Sequence, residues 1–172
     1  MKRDEMLEAL SEVGVELERR GISARIFLVG GAAMVLAHGI RDSTDDVDGD
    51  FYPRDEVRAV AQEVATRRGL PRDWLNSSAL GFIPVFKSPD WQPVIKFGSL
   101  EVAVADHRTM LAMKIRASRG RRDEPDLRVL LTQCGVTSVE QAFEIHAEYF
   151  PEDPAPKRAR LMLEHHLAEP QS

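Results

Sequence analysis

The chain has 172 residues, of which 43% are hydrophobic and 30% charged, and its formal net charge is −5. These values predict a globular domain and exclude a disordered polar chain and a uniformly basic nucleic-acid-binding protein. Cys134 is the only cysteine, so neither an intrachain disulfide nor a cysteine-based zinc site can form. The acidic start and the short apolar runs predict a cytoplasmic protein without a membrane span.

Helices and short strands alternate in the first part of the chain. The spacing of apolar residues predicts an amphipathic helix over 4–20, and a β-favouring run follows at 25–29. A glycine pair separates this strand from a short buried helix at 32–38. Acidic residues alternate at 45–52, which predicts a second strand, and helical spacing returns at 54–68.

The rest of the chain is predicted to be mainly helical. Residues 74–93 contain three prolines among Asn, Ser and Gly, which indicates loops with short strands. An alternating strand follows at 99–105. Helices are expected in four further stretches, at 108–118, 124–133, 139–149 and 155–167. No linker demands a second domain, so we expect one domain over residues 1–172.

The first candidate for chemistry is the pair Gly30 and Gly31 between a strand and a helix. Glycines allow a tight turn and let backbone N–H groups approach a phosphate. The pair lacks the spacing and lysine of a P-loop and the third glycine of a dinucleotide-binding motif. A plain tight turn therefore stays open beside a phosphate site.

The second candidate is the pair of carboxylates at Asp46 and Asp48. In a strand, residues i and i+2 lie on one face about 6.6 Å apart, where two negative charges repel unless a cation lies between them. Such a pair can bind Mg²⁺. A solvent-exposed acidic strand is one alternative. Another is a calcium loop, although Thr44 replaces its first Asp and Asp55 its bidentate Glu.

Lys114 lies on a largely apolar stripe of its predicted helix. It either extends to the surface or points into a polar pocket where a phosphate neutralises it. Arg119, Arg121 and Arg122 surround Gly120, just after this helix. These arginines either bind a phosphate backbone or form a solvated charged segment. Asp123 is expected to cap the next helix, with Asp126 in the first turn of that helix.

The order of these features resembles the motif of the polymerase-β-like nucleotidyltransferase superfamily: a glycine pair, a short helix, Arg41, Thr44 and Asp46-x-Asp48. More closely, several stretches look like the bacterial nucleotidyltransferase-like proteins related to the toxins of AbiE-type and MenAT-type toxin–antitoxin pairs. These stretches are Phe27–Arg41, Thr44–Asp48, Leu70–Asn76, Gly81–Pro84, Leu111–Lys114 and Arg122–Leu127. The resemblance covers about residues 25–135.

This resemblance implies an α+β fold in which a minimal nucleotidyltransferase core, a small mixed sheet flanked by helices, spans about 25–135. Extra C-terminal helices would follow at about 136–168. The implied activity is transfer of an NMP from an NTP to an acceptor, which is tRNA in characterised relatives. Mg²⁺, with Mn²⁺ as a substitute, would be the cofactor, and an antitoxin protein would be the partner.

The resemblance also assigns residues one by one. Glu101 is the candidate for the third strand carboxylate, and Lys114 would neutralise the triphosphate while Asp126 would be a further functional acid. The expected nucleotide-binding residues are Gly30, Gly31, Arg41, Thr44 and Lys114, and the expected metal ligands are Asp46 and Asp48, which also count as catalytic. An RNA acceptor would be held locally by Arg116, Arg119, Arg121 and Arg122.

Two other classes of function stay open beside the transferase. One is a catalytically silent nucleotide-binding or partner-binding module that keeps the fold. The other is an interaction domain stabilised by calcium at the acidic strand. The silent module is favoured by the uncertain third acid, because Glu101 replaces the usual Asp there, and it is disfavoured by the presence of Asp46, Asp48 and Lys114.

Overall fold

The computed structural model describes residues 1–37, 39–120 and 123–168. The chain forms two compact units. The first comprises Met1–Leu80 and Trp91–Ala105, and the second comprises Gly81–Asp90 with the described residues from Asp106 onward. The class is α+β, as predicted, with one mixed sheet of five strands and seven α-helices over the described residues. The division at Asp106 falls inside the 25–135 range expected for the core.

The first unit is built on the sheet. Its strands are β1 (Ala24–Leu28), β2 (Val47–Tyr52), β3 (Leu75–Asn76), β4 (Trp91–Phe97) and β5 (Leu100–Ala105). They lie in the order β3-β2-β1-β5-β4, so β1 is central. β1 pairs antiparallel with β2 and parallel with β5, while β4 and β5 form an antiparallel hairpin. The sheet is therefore mixed.

Three helices belong to the first unit: α1 (Arg3–Arg19), α2 (Gly30–Leu36) and α3 (Arg54–Arg68). α1 contacts β4 and β5, and α3 contacts β2 and β3. Alternate strand residues such as Ile26, Phe51 and Val104 are at most 1% exposed and face these helices. The period of two along the strands thus separates a buried face from an opposite, outer face.

The edge strand β4 is irregular. Pro93 lies within it, opposite Ala103, and the register shifts between Pro93 and Ile95. Proline is tolerated in an edge strand because the N–H group that it lacks is not needed for hydrogen bonds to a further strand. The sequence predicted only loops and short strands here, since the proline and the extra residue interrupt the alternation that marks a strand.

Gly14 lies in the middle of α1, where the helix backbone meets β4. A Cβ at Gly14 would lie 2.6 Å from Phe97 Cβ and 2.7 Å from the Phe97 carbonyl oxygen. We expect overpacking in Gly14→Ala to cost about 1–3 kcal/mol. The gain in helix propensity, about 1 kcal/mol, offsets part of this cost, so the free energy of unfolding should fall by up to about 2 kcal/mol. Urea denaturation would measure the change.

Val15→Ala provides the control for this prediction. Val15 is 62% exposed on the same helix, so alanine there changes helix propensity without touching the sheet. We expect a change within about 0.5 kcal/mol. If Gly14→Ala proved as stable as Val15→Ala, α1 would not pack closely on β4.

The second unit is helical. It contains α4 (His107–Ala117), α5 (Glu124–Gln133), α6 (Val139–Tyr149) and α7 (Lys157–Ala168). α4 packs against α5 and α6, and α6 packs against α7. Asp106 caps α4 by accepting hydrogen bonds from the N–H groups of Arg108 and Thr109. Within residues 1–37, 39–120 and 123–168, no helix combines the length and the apolar character needed to cross a membrane.

Candidate functional site

The glycine pair forms the turn from β1 into α2. Gly30 has a φ of +61°, in the left-handed region that strains any other side chain. The Val29 N–H donates to the Asp48 carbonyl oxygen at 3.0 Å, which ties the turn to β2. A Cβ on Gly30 would lie 3.9 Å from Asp48 Oδ2. The turn therefore holds its backbone beside the Asp48 carboxylate.

Gly31 brings two more of the predicted residues to the turn. A Cβ on Gly31 would collide with Thr44 Oγ1 and would lie 4.0 Å from Arg41 Nη1. Thr44 itself is only 8% exposed. Glycine is required at this position because a side chain would displace the hydroxyl. A hydroxyl, a guanidinium and a carboxylate thus converge on the glycine turn, although they lie apart in the sequence.

Asp46 and Asp48 lie at the start of β2. The sequence predicted both within the strand, whereas β2 begins at Val47 and Asp46 immediately precedes it. Asp48 pairs with Asn76 of β3 in the parallel register, and Asn76 Nδ2 donates to Asp46 Oδ2 at 3.2 Å. Paired residues of neighbouring strands share a face, so Asn76 lies beside Asp48 on the sheet and also hydrogen-bonds Asp46.

Glu101 does not join these carboxylates. In the register between β5 and β1, Glu101 lies opposite Arg25 near the start of β1. Asp48 lies beside the other end of β1. The Glu101 carboxylate forms ion pairs with Arg25 Nε at 3.3 Å and Lys96 Nζ at 3.6 Å. Continuing both strand registers by one residue brings Ala105 of β5 level with Asp48. The described residues contain no group of three or more His, Cys, Asp or Glu that could hold a metal ion.

Two carboxylates fit a magnesium ion that is shared with a substrate. Mg²⁺ is commonly held by one or two carboxylates together with the phosphates of a nucleotide, and it keeps several waters. Asp46 and Asp48 supply hard oxygen ligands, and the glycines leave the adjacent backbone without side chains. The donor set therefore fits a metal bound with a triphosphate, and it does not fit a closed site made by protein ligands alone.

Lys114 is buried in the second unit between two carboxylates. Its Nζ lies 2.7 Å from Asp123 Oδ1 and 2.6 Å from Asp126 Oδ2, and the side chains are at most 6% exposed. Sequence analysis left open whether Lys114 extends to the surface or meets a bound phosphate. In the structure, carboxylates of the chain itself neutralise the ammonium.

Asp123 stands at the N-cap position of α5, but it makes no capping hydrogen bond to the described first turn. The expectation of a cap was wrong because both carboxylate oxygens are engaged elsewhere. Oδ1 accepts from Lys114 Nζ, and Oδ2 accepts from the Arg119 N–H at 2.9 Å. Burial opposes ionisation of Asp123, but the charge and hydrogen bond of Lys114 outweigh it and lower the pKa.

The predicted RNA-binding arginines differ in their surroundings. Arg116 donates to the Gly81 carbonyl oxygen at 2.6 Å and pairs with Asp153, and its guanidinium lies 4.7 Å from the centroid of the Phe150 ring. It is thus held by interactions inside the second unit. Arg119 is exposed, with Nε 3.6 Å from Asp123 Oδ2. Arg121 and Arg122 lie outside the described residues.

The predicted site residues therefore form two groups. The first unit holds the glycine turn with Arg41, Thr44, Asp46 and Asp48, and the second unit holds Lys114 with Asp126. The sequence did not predict two interactions: the hydrogen bond from Asn76 to Asp46 and the ion pair of Asp123 with Lys114. Asn76 and Asp123 lie in stretches that carried the family resemblance, which was the available signal. Comparisons with protein-family models, curated proteins and solved structures found no match.

Proposed function

We propose that the chain is a Mg²⁺-dependent nucleotidyltransferase with a minimal nucleotidyltransferase core, which moves an NMP from an NTP to an RNA acceptor such as tRNA. The observation that carries this proposal is the convergence at one turn of Gly30, Gly31, Arg41, Thr44 and Asp48. A lone glycine turn needs none of the three polar side chains. Their joint presence beside bare backbone suits a bound polyphosphate.

Each of these residues has a task in such a reaction. The backbone N–H groups of the turn, the Thr44 hydroxyl and the Arg41 guanidinium would donate to phosphate oxygens. Asp46 and Asp48 would hold Mg²⁺, or Mn²⁺ in its place. The bound metal would offset the negative charge of the phosphates. Asn76 would fix the orientation of Asp46 through its hydrogen bond.

The chemical step is an in-line displacement at the α-phosphorus. A hydroxyl oxygen of the acceptor forms the new P–O bond, the bond to the β-phosphate oxygen breaks, and pyrophosphate leaves while the hydroxyl proton passes to water. This step needs positioning and charge stabilisation more than covalent catalysis. It is therefore compatible with a site of two carboxylates and phosphate donors.

Lys114 and Asp126 enter the proposal through the resemblance. The ion pairs of Lys114 with Asp123 and Asp126 favour a positioning role, in which Lys114 holds both carboxylates in place. A growth-arresting toxin controlled by an antitoxin protein is the biological role that the resemblance implies. This role makes the chain cytoplasmic in our proposal.

A second candidate is a nucleotide-binding module without transfer activity. The position of Glu101 favours it, because Glu101 lies at the opposite end of β1 from Asp48. Such a module would bind an NTP at the glycine turn and hold it unchanged.

Labelling of RNA separates the two candidates. The chain would be incubated with total tRNA, Mg²⁺ and each α-labelled NTP in turn, with Asp48→Asn and EDTA as controls. We expect label in tRNA with the intact chain and none with either control. Label on the chain itself or on a co-purifying protein would change the acceptor. Tight NTP binding without any labelling would favour the silent module.

A further inference from the structure

The outer face of the sheet, opposite α1 and α3, carries three rows of side chains. The strand registers define them. The row at the glycine turn contains Asp48, Ala105 and Trp91; the middle row contains Asp50, Phe27, Ala103 and Pro93; the far row contains Tyr52, Arg25, Glu101 and Lys96. One sheet face thus carries three aromatic residues, two cations and three carboxylates, with Asp48 and Trp91 at opposite ends of the row at the glycine turn.

Two of the aromatic rings meet over small residues. The centroids of Phe27 and Trp91 lie 5.0 Å apart with an interplanar angle of 52°. Both rings are half-buried, and Ala103 between their strands carries only a methyl group. A groove of about 490 Å³ results, lined by the ring pair, by Ala103 and by Arg25 and Lys96. Its volume lies within the range of about 300–1,000 Å³ typical of small-ligand sites.

The far row supplies positive charge and a further ring. The side chains of Arg25 and Lys96 are 68% and 69% exposed, and both pair with Glu101 at 3.3 Å or more. A guanidinium has five N–H donors and an ammonium has three, so one shared carboxylate leaves donors for another anion. Tyr52, which faces Arg25 across the strands, is 73% exposed.

We propose that this outer face binds a single-stranded end of the RNA acceptor. Bases stack on the Phe27–Trp91 pair and on Tyr52, and phosphates contact Arg25 and Lys96. The terminal ribose then points along β1 and β2 toward Asp48. Phe27 pairs with Asp50, and Asp48 lies two residues from Asp50, about 6.6 Å along the strand. The identity of the acceptor rests on the proposed function.

The position of the two cations, away from the glycine turn, favours RNA over a second mode of NTP binding. The phosphates of an NTP belong at the glycine turn, so they leave the two cations of the far row without a phosphate. A polynucleotide carries phosphates on both sides of the stacked base. Stacking aromatics combined with cations are typical of surfaces that bind single strands. Such a local patch is also compatible with the overall charge of −5.

Tryptophan fluorescence gives a direct test. The chain has two tryptophans, and Trp74 is 1% exposed with its Nε1 donating to the Ala61 carbonyl oxygen. We expect a single-stranded oligoribonucleotide of mixed sequence, added with EDTA to prevent transfer, to quench the emission of the intact chain. In Trp91→Phe the remaining emission comes from Trp74, and we expect no quenching.

Affinity and its salt dependence provide the second readout, with a 5′-labelled oligoribonucleotide followed by anisotropy. Trp91→Ala is expected to weaken binding by roughly ten-fold or more. Loss of two phosphate contacts in Arg25→Ala/Lys96→Ala is expected to reduce the slope of log affinity against log salt by about 1.4. Arg58→Ala is the matched control, because Arg58 is an exposed arginine of the first unit that pairs with Asp55.

Three results would overturn the proposal: no quenching of the intact chain, equal competition by duplex RNA, or quenching by NTP alone together with displacement of the oligoribonucleotide. The last would assign the groove to the nucleotide base. If tRNA is labelled but Trp91→Ala keeps the affinity and KM for RNA, only the outer-face site fails. If RNA binding depends on Trp91 and Arg25 but no label is transferred, the outer-face site stands and the transferase fails.

Discussion

Lys114→Met is expected to lower the free energy of unfolding by about 3–5 kcal/mol, the usual cost of removing one partner of a buried ion pair. Methionine keeps the length of the side chain and removes the charge. Asp123 and Asp126, at most 1% exposed, would then face each other without their shared cation. Urea denaturation at pH 7, followed by circular dichroism, would measure the loss.

The pH dependence of stability should reverse in this variant. In the intact chain the pKa of Asp123 is lowered, so its contribution to stability is complete above the unfolded pKa, about 4. That contribution is lost as the pH falls through the lower, folded pKa. In Lys114→Met, the burial of Asp123 favours its protonated carboxyl, and the variant should gain stability as the pH falls from 7 toward 4.

Two further variants control for this prediction. Lys87 forms an exposed ion pair with Glu148 in the same unit, so Lys87→Met should change the free energy of unfolding by less than about 1 kcal/mol. Removing all three charges in Lys114→Met/Asp123→Asn/Asp126→Asn should recover most of the loss. Equal effects of Lys114→Met and Lys87→Met would contradict the buried cluster.

If the chain is the nucleotidyltransferase proposed above, Asp48→Asn should lower the rate of transfer by more than about 100-fold. Residues that only hydrogen-bond to metal ligands already contribute roughly 10- to 100-fold. The amide keeps the size of the side chain but loses the charge that a divalent cation requires. Stability should change by less than about 1 kcal/mol, since one of two neighbouring negative charges is removed. Initial rates of labelling across a magnesium titration would measure the effect.

Asp55→Asn is the matched control. Asp55 lies in the first turn of α3, with its Oδ1 3.7 Å from Arg58 Nη1. Its side chain is 96% exposed, so we expect transfer to stay within about two-fold of the intact chain, because exposed ion pairs contribute little. If both variants lost transfer equally, or if Asp48→Asn unfolded, Asp48 would have a structural role.

Most elements of the fold could be predicted because their apolar spacing is strong. The bounds of α1, β1, α2, β2, α3, β5 and all four later helices agree with the sequence predictions within two residues. β3 and β4 are the exceptions, because residues 74–93 were predicted only as loops with short strands. In β4, the proline and the register shift remove the period of two on which the prediction of a strand depends.

The site was predictable in its residue types but not in its pairings. Alternation places Glu101 on the correct face of β5, but the position of Glu101 relative to Asp48 depends on the register with β1, which alternation does not give. Helical spacing likewise places Lys114 on a buried stripe. That its partners are Asp123 and Asp126 depends on how α4 and α5 pack.

The shape of β4 also determines how the sheet can meet other chains. An exposed strand edge normally offers a row of N–H and C=O groups to which a strand from another molecule can add. Here Pro93 removes a donor and the shifted register interrupts the row, while the opposite edge strand, β3, has only two residues. Strand addition at these edges is therefore disfavoured, both in self-association and in the growth of cross-β aggregates.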